Sequence, residues 1–422
     1  MTATPFPDTA SRGLRRAFDA LGEPAFRWWF FSQILSGSGS MTQAIAMSWV
    51  VLKLTRNGVA LGAVTACTFG PLLAFGAFGG SFVDRHDRRR VLIGTQLALS
   101  AIAGALGALS ISGSMKLWML YLAALGSGLV MAIDQPARQV FVVELVGDER
   151  TANAVSLNEV VINASRILGP AAGGALLATA GAGGCFLLNA GSYLPTLIVL
   201  ALPLTAHTVA SRRVEPTAHG HGSGALVGLR YVWRRPAIRA VVVMAAVSGM
   251  LFNLGVALPL LATRVFHQGG GGYGVMMGAF GVGAIGGAVI AASGHSWASG
   301  REVRVLALLT GAAVLATAAA PDLGLELAGL AGCGVVSIWF IARANALAQL
   351  RAEGPVRGRV MAVWTMALPG MNPVFALLVG AVAQGLGARQ GFALAGVGLA
   401  ACAVLFWQAL ADAPRAQMAG AK

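Results

Sequence analysis

Three groups of residues in this 422-residue chain combine side-chain types that could do chemistry. The first is Gly80-Ser-Phe-Val-Asp84-Arg85-His-Asp87-Arg88-Arg89-Arg90, an acid followed by four arginines. Carboxylates beside guanidinium groups form ion pairs that can be made and broken. The second is Asn153, Asn158, Glu159, Asn163 and Arg166, followed by Gly169-Pro170 and Gly173-Gly174. Glu159, Asn163 and Arg166 share one face of a helix by their spacing. That face fits a proton or substrate site, and equally a pair of charges neutralising groups on neighbouring helices. The third group, Gln33, Ser36, Ser38, Ser40, Thr42 and Gln43, interrupts an otherwise apolar run with groups that hydrogen-bond.

The elements that carry these groups belong to a membrane. Hydrophobic residues make up 56% of the chain and charged residues 11%, against roughly 45–50% and about 25% in soluble proteins. Mean hydropathy is +0.73, so a water-soluble globule is excluded. A transmembrane helix takes about 20 apolar residues, and the punctuation predicts spans at 27–52, 58–83, 91–111, 116–137, 153–179, 185–205, 237–262, 274–293, 304–320, 325–349, 359–384 and 390–410. The domain reading is an N-tail (1–26), a six-helix bundle (27–205), a central loop (206–236), a second six-helix bundle (237–410) and a C-tail (411–422). The central loop holds Arg212, Arg213, His219 and His221.

Net charge is +14 and the pI about 11.0, but the basic residues sit between apolar runs, as orientation signals do, and nucleic acid is not the expected partner. Of 30 Lys and Arg, 23 fall on the side of both tails, 5 opposite, and 2, Arg166 and Arg343, inside apolar runs. The positive-inside rule makes both termini cytoplasmic. Cys67, Cys185, Cys333 and Cys402 lie in apolar stretches without metal-ligand spacing. No Gly-Lys dipeptide occurs, which removes a phosphate-binding loop and its ATPase. No metal or cofactor is expected.

The G-x-x-x-D-R-x-x-R-R spacing between the second and third spans resembles motif A of the major facilitator superfamily. The resemblance implies twelve transmembrane helices in two pseudo-symmetric bundles, an all-α polytopic fold. It also implies a cytoplasmic clamp: Gly80 permits close helix approach, Asp84 faces the start of helix 11, and Arg85 or Arg88, with Arg89 beside them, reaches an acid near the end of helix 4, Asp134. Asp87 stands where the family often has glycine, and the second-half loop with Gly294, Arg301 and Arg304 lacks the Asp-Arg pair. Gly169-Pro170 and Gly173-Gly174 resemble motif C of the drug:proton antiporters. The stretch from Asp134-Gln-Pro-Ala-Arg-Gln139 through Arg166-Ile-Leu-Gly-Pro170 to Phe186-Leu-Leu-Asn189 is similar to the transmembrane secretion effector branch.

What this implies is a monomeric exporter of a small organic molecule in the bacterial cytoplasmic membrane, working by alternating access with proton antiport. Glu159 with Arg166 is the expected coupling site. Gln33, Gln43, Asn163, Asn253, Trp364 and Asn372 are expected to line the substrate cavity, and interhelical hydrogen bonding accounts for each singly about as well. An importer is the nearest rival, with motif C against it; a multi-span membrane enzyme is the more distant one.

Overall fold

The computed structural model describes residues 19–202, 229–293, 298–353, 356–367 and 370–411. Every regular element among them is helical. The passes are α1 (Pro24–Thr55), α2 (Gly58–Arg85), α3 (Arg88–Ile111), α4 (Leu117–Val146), α5 (Thr151–Thr179) and α6, in two segments (Gly181–Ser192 and Leu194–Ala201). They continue with α7, also in two segments (Pro236–Ser248 and Leu254–Arg264), α8 (Gly270–Ser293), α9 (Gly300–Ala318) and α10 (Leu323–Arg351). The last two are α11 (Arg357–Ala367 and Asn372–Gly385) and α12 (Ala388–Leu405). The two tails, and most of the central loop with its His219 and His221, lie outside the described residues.

Among the described residues, eight passes are long and apolar enough to cross a membrane: α2 to α6, α8, α10 and α12. The other four fall short for identifiable reasons. Gln and Ser dilute α1, Arg301, Glu302 and Arg304 dilute α9, and α7 and α11 are each broken into two segments.

The largest departure from the expected spans is α4, which continues past 137 to Val146 with Pro136 in its interior. A mid-helix proline removes one hydrogen bond and clears the carbonyl four residues back, here that of Ala132. Gly79 of α2 lies against that carbonyl so closely that a Cβ would stand 1.9 Å from its oxygen. The neighbour absorbs the irregularity, as transmembrane helices permit, and the helix runs on. Asp134, Arg138 and Glu144 are therefore all helical, and Arg138 is not a loop residue.

Each half repeats one packing scheme. In the first half α2 packs on α4, α3 on α4 and α6, and α1 on α5 and α6; in the second, α8 packs on α10 and α9 on α10 and α12. The halves join through α2 with α11, α5 with α8, and α1 with α7. These junctions gather at the end that carries the 1–2, 7–8 and 11–12 connections. A Cβ on Gly62 would stand 2.5 Å from the Ala376 oxygen, and Arg264 Nη2 donates to Gln384 Oε1 at 2.9 Å and to the Arg56 carbonyl. Small residues make such backbone approach possible. Toward the arginine-rich opposite end, here the basic end, the first segment of α11 packs on α7 and α10 of its own half. The close backbone contacts that join the halves, Gly62 with Ala376 and Gly174 with Gly274, lie toward one end.

Candidate transport site

At the basic end the Gly80–Arg90 cluster folds as the last turn of α2, a short connection and the first turn of α3. Asp87 is the N-cap of α3, accepting from Arg90 N at 3.0 Å. Arg88 is buried and lies 3.5 Å from the buried Glu144 of α4. Arg89 donates to the last carbonyls of α6, Leu200 O at 2.5 Å and Ala201 O at 3.3 Å, where a cation complements the helix dipole. Asp84 and Arg85 are exposed and meet no partner among the described residues.

Three expectations are corrected. Glu144, not Asp134, receives Arg88, because the extra length of α4 brings Glu144 to the helix end and leaves Asp134 three turns deeper. Gly79 makes the close approach, whereas a Cβ on Gly80 would meet nothing within 4 Å. Asp84 meets no partner among the described residues, so the expected contact with the start of α11 is not seen there.

Deeper in the first half, polar side chains from four helices converge. Asp134 Oδ1 accepts from Thr95 Oγ1 at 2.6 Å and Gln96 Nε2 at 2.8 Å, both on α3, and its other oxygen accepts from Arg138 Nε. Arg138 Nη1 donates to Gln33 Oε1 of α1. The Gln33 amide in turn donates to Thr196 Oγ1 of α6 at 3.4 Å. One turn-pair along α1, Gln43 accepts from Asn189 Nδ2 at 2.8 Å, and Ser40 Oγ lies 3.1 Å from Tyr193 OH. Gln33 and Asp134, expected in separate roles, belong to one network. The link is Arg138, which the sequence hid behind Pro136.

On α5, the face that carries Gly169 and Gly173 packs against α1. A Cβ on Gly169 would stand 2.4 Å from Met41 Cβ, and Thr42 Oγ1 donates to Gly169 O at 2.9 Å. Pro170 is buried. Gly174 belongs to the junction between halves: a Cβ there would stand 2.6 Å from Gly274 Cα of α8. The side chains of Glu159 and Asn163 lie outside the described residues, although the helix through them is described. Arg166 corrects the expectation of a buried charge, because it is exposed. Val160 and Leu168 expose the lipid-type stripe of α5, and Arg166 falls on the opposite side of the helix. Glu159 and Asn163 share that side by their register.

In the second half, Asn253 closes the break in α7 and is 4% exposed. Its amide donates to Gly249 O at 3.0 Å and to Asn372 Oδ1 at 3.1 Å, where the second segment of α11 begins. Breaks at membrane depth are tolerated where they are buried in protein or line a cavity, and here an amide pair bridges the two. Trp364, expected at the cavity, is buried at 5% exposure. It is packed into the second-half core with Met244, Phe340 and Val363. That half also has a bridge of its own, with polarity reversed from Arg88 and Glu144: Arg343 of α10, 7% exposed, lies 2.7 Å from Glu302 of α9. Arg304 donates to Trp407 O at 2.6 Å, as Arg89 caps α6 in the first half.

The chain is similar to known proteins. The family described as transmembrane secretion effector matches residues 16–419. The multidrug efflux pump Tap of Mycolicibacterium fortuitum is 27% identical over 86% of this chain and 90% of its own length. The enterobactin exporter EntS of Shigella boydii is 25% identical over 87% of this chain and 86% of its own. The staphyloferrin A transporter of Staphylococcus aureus is 30% identical, but over 42% of this chain and 45% of its own length. Among solved structures, a bacterial homologue of the iron transporter ferroportin in an inward-facing state superposes with a TM-score of 0.71 at 14% identity, covering 92% of this chain and 99% of that one.

Proposed function

The chain belongs to the transmembrane secretion effector family of the major facilitator superfamily, a membrane transporter and not an enzyme, and from that premise we propose that it exports a small organic molecule by alternating access. The observation that carries the reading is the asymmetry of the junction between halves. Gly62 with Ala376, Gly174 with Gly274 and Arg264 with Gln384 tie one end, while at the basic end the first segment of α11 packs on α7 and α10 of its own half. Two bundles joined at one end form one member of a pair of states, and cargo shifts such an equilibrium by binding one state better.

With the basic end cytoplasmic, as its arginine excess favours, both termini are cytoplasmic and this conformation opens to the cytoplasm. The chain acts as a monomer in the bacterial cytoplasmic membrane. In the alternate state the exposed Asp84 and Arg85 clamp the basic end. Proton antiport supplies the energy, with Glu159 as the proton-binding carboxylate and Arg166 on the same face of α5.

Purified protein in proteoliposomes tests the coupling. An imposed pH gradient drives efflux through the wild type, and Glu159→Gln abolishes the dependence on the gradient. Gradient-driven efflux that survives Glu159→Gln removes Glu159 from the mechanism. Direction is tested by deleting the gene and profiling metabolites: accumulation inside cells supports export, and loss of uptake overturns it.

A further inference from the structure

We infer that Arg138 of α4 binds a carboxylate group of the transported molecule, an inference that rests on the transport reading above for its cargo and on the following geometry for its site. Helix α4 exposes Trp118, Leu122, Leu125 and Leu129 along one stripe, the kind of face a transmembrane helix turns to lipid. Arg138 falls on the opposite side of the helix by its register. Its side chain is 26% exposed, whereas that of Asp134 is 4% exposed. The guanidinium is thus partly exposed on the side of α4 turned away from that stripe, toward the end of the molecule remote from the Gly62–Ala376 and Gly174–Gly274 contacts, and the inference places it on the path between the halves. Gln135 and Gln139, also exposed, extend the polar character of this segment of α4. A charge at such depth is costly to retain and marks a site of function by default.

The pair is arranged so that it can open. Asp134 Oδ1 accepts from Thr95 and Gln96 at 2.6 and 2.8 Å. These two donors keep the carboxylate hydrogen-bonded when Arg138 turns away, so the buried charge is not stranded. Gln33 orients Arg138 through Nη1, and Nη2 meets no acceptor among the described residues. A carboxylate entering between the halves presents the same chemistry as Asp134, in the forked geometry a guanidinium accepts. Exchange of one carboxylate for another leaves Arg138 ion-paired and Asp134 hydrogen-bonded to Thr95 and Gln96. A cationic or neutral cargo would have to leave Arg138 on Asp134 and could not use it.

The test uses full-length protein in nanodiscs and reads the thermal unfolding midpoint. The probes are benzoate, succinate and citrate, each paired with its uncharged amide at matched ionic strength, with inorganic phosphate as a separate arm. At least one carboxylate raises the midpoint of the wild type in a concentration-dependent way, and its amide does not. Arg138→Gln weakens that binding at least about tenfold, the scale of a lost charge-assisted hydrogen bond. Arg301→Gln, an exposed arginine at the other bundle, leaves it intact. Should Arg138→Gln fold poorly, the double variant Asp134→Asn with Arg138→Gln carries no stranded charge and must lose the shift as well. Absence of a shift with every carboxylate, a shift that persists in both variants, or a response to phosphate alone overturns the inference. Profiling of the medium separates the two readings. Export restricted to compounds without a carboxylate refutes the role of Arg138 and leaves export standing, whereas no difference between wild type and empty vector refutes export while the binding arm still reports on Arg138.

Discussion

Gly174 of α5 and Gly274 of α8 meet backbone to backbone across the two halves: a Cβ on Gly274 would stand 2.0 Å from the Gly174 Cα. No side chain intervenes, so this contact exists only while that end is closed. Gly274→Val is expected to force it open and shift the molecule toward the opposite conformation. Distance measurements between spin labels on α5 and α8 should then lengthen at this end, with transport lost and the fold retained. Unchanged distances would show that the contact does not hold the closed end.

Arg88 and Glu144 form a buried pair, 9% and 1% exposed, at 3.5 Å. Removing one member of such a pair strands the other charge, at a cost of about 3–5 kcal/mol. Glu144→Gln should therefore lower the unfolding midpoint markedly, and Glu144→Leu with Arg88→Met should recover most of it. A midpoint that does not move with Glu144→Gln would show that the pair contributes nothing to stability.

Adjacent glycines give opposite expectations. Gly79→Ala places a methyl 1.9 Å from the Ala132 oxygen, whereas Gly80→Ala meets nothing within 4 Å. The first should cost about 1–3 kcal/mol through overpacking, and the second should be neutral. Denaturation of the two variants side by side decides it, and equal stabilities would overturn the assignment of the contact.

Asp84 is exposed and without a partner among the described residues, so its neutralisation should cost nothing in stability here. Asp84→Asn is expected to leave the unfolding midpoint in place and reduce transport at least about tenfold, because it removes an ion pair made only in the alternate state. Full transport by Asp84→Asn would reduce the cluster to an orientation signal.

Asn253 and Asn372 bridge the breaks in α7 and α11 at 3.1 Å. Asn253→Ala leaves the Asn372 amide oxygen and the Gly249 carbonyl short of a donor at a buried position, a loss of about 1–3 kcal/mol. Asn253→Asp with Asn372 retained should recover less than Asn253→Gln, because a carboxylate cannot donate to Asn372 Oδ1. The reverse order would show that the bridge runs the other way.

The sequence by itself determined the membrane solvent and the twelve-pass all-α architecture, because apolar runs of about 20 residues have the length of spanning helices, which satisfy their own backbone in lipid. It also located the glycines of α5, whose smallness is a property of the residue. Partners were decided elsewhere. The expected span ended at 137, whereas α4 runs on to Val146 through Pro136, with Gly79 of the neighbouring pass lying close against the Ala132 carbonyl. That continuation moves Arg138 from a loop into a four-helix network and substitutes Glu144 for Asp134 as the partner of Arg88. Trp364 shows the same limit from the other direction: its type fits a cavity or a core, and the structure buries it in the cluster that holds Met244 and Phe340. Which residues are apolar is written locally, but which charge meets which depends on helix length and register across the bundle, and those are fixed only when neighbouring helices close on one another.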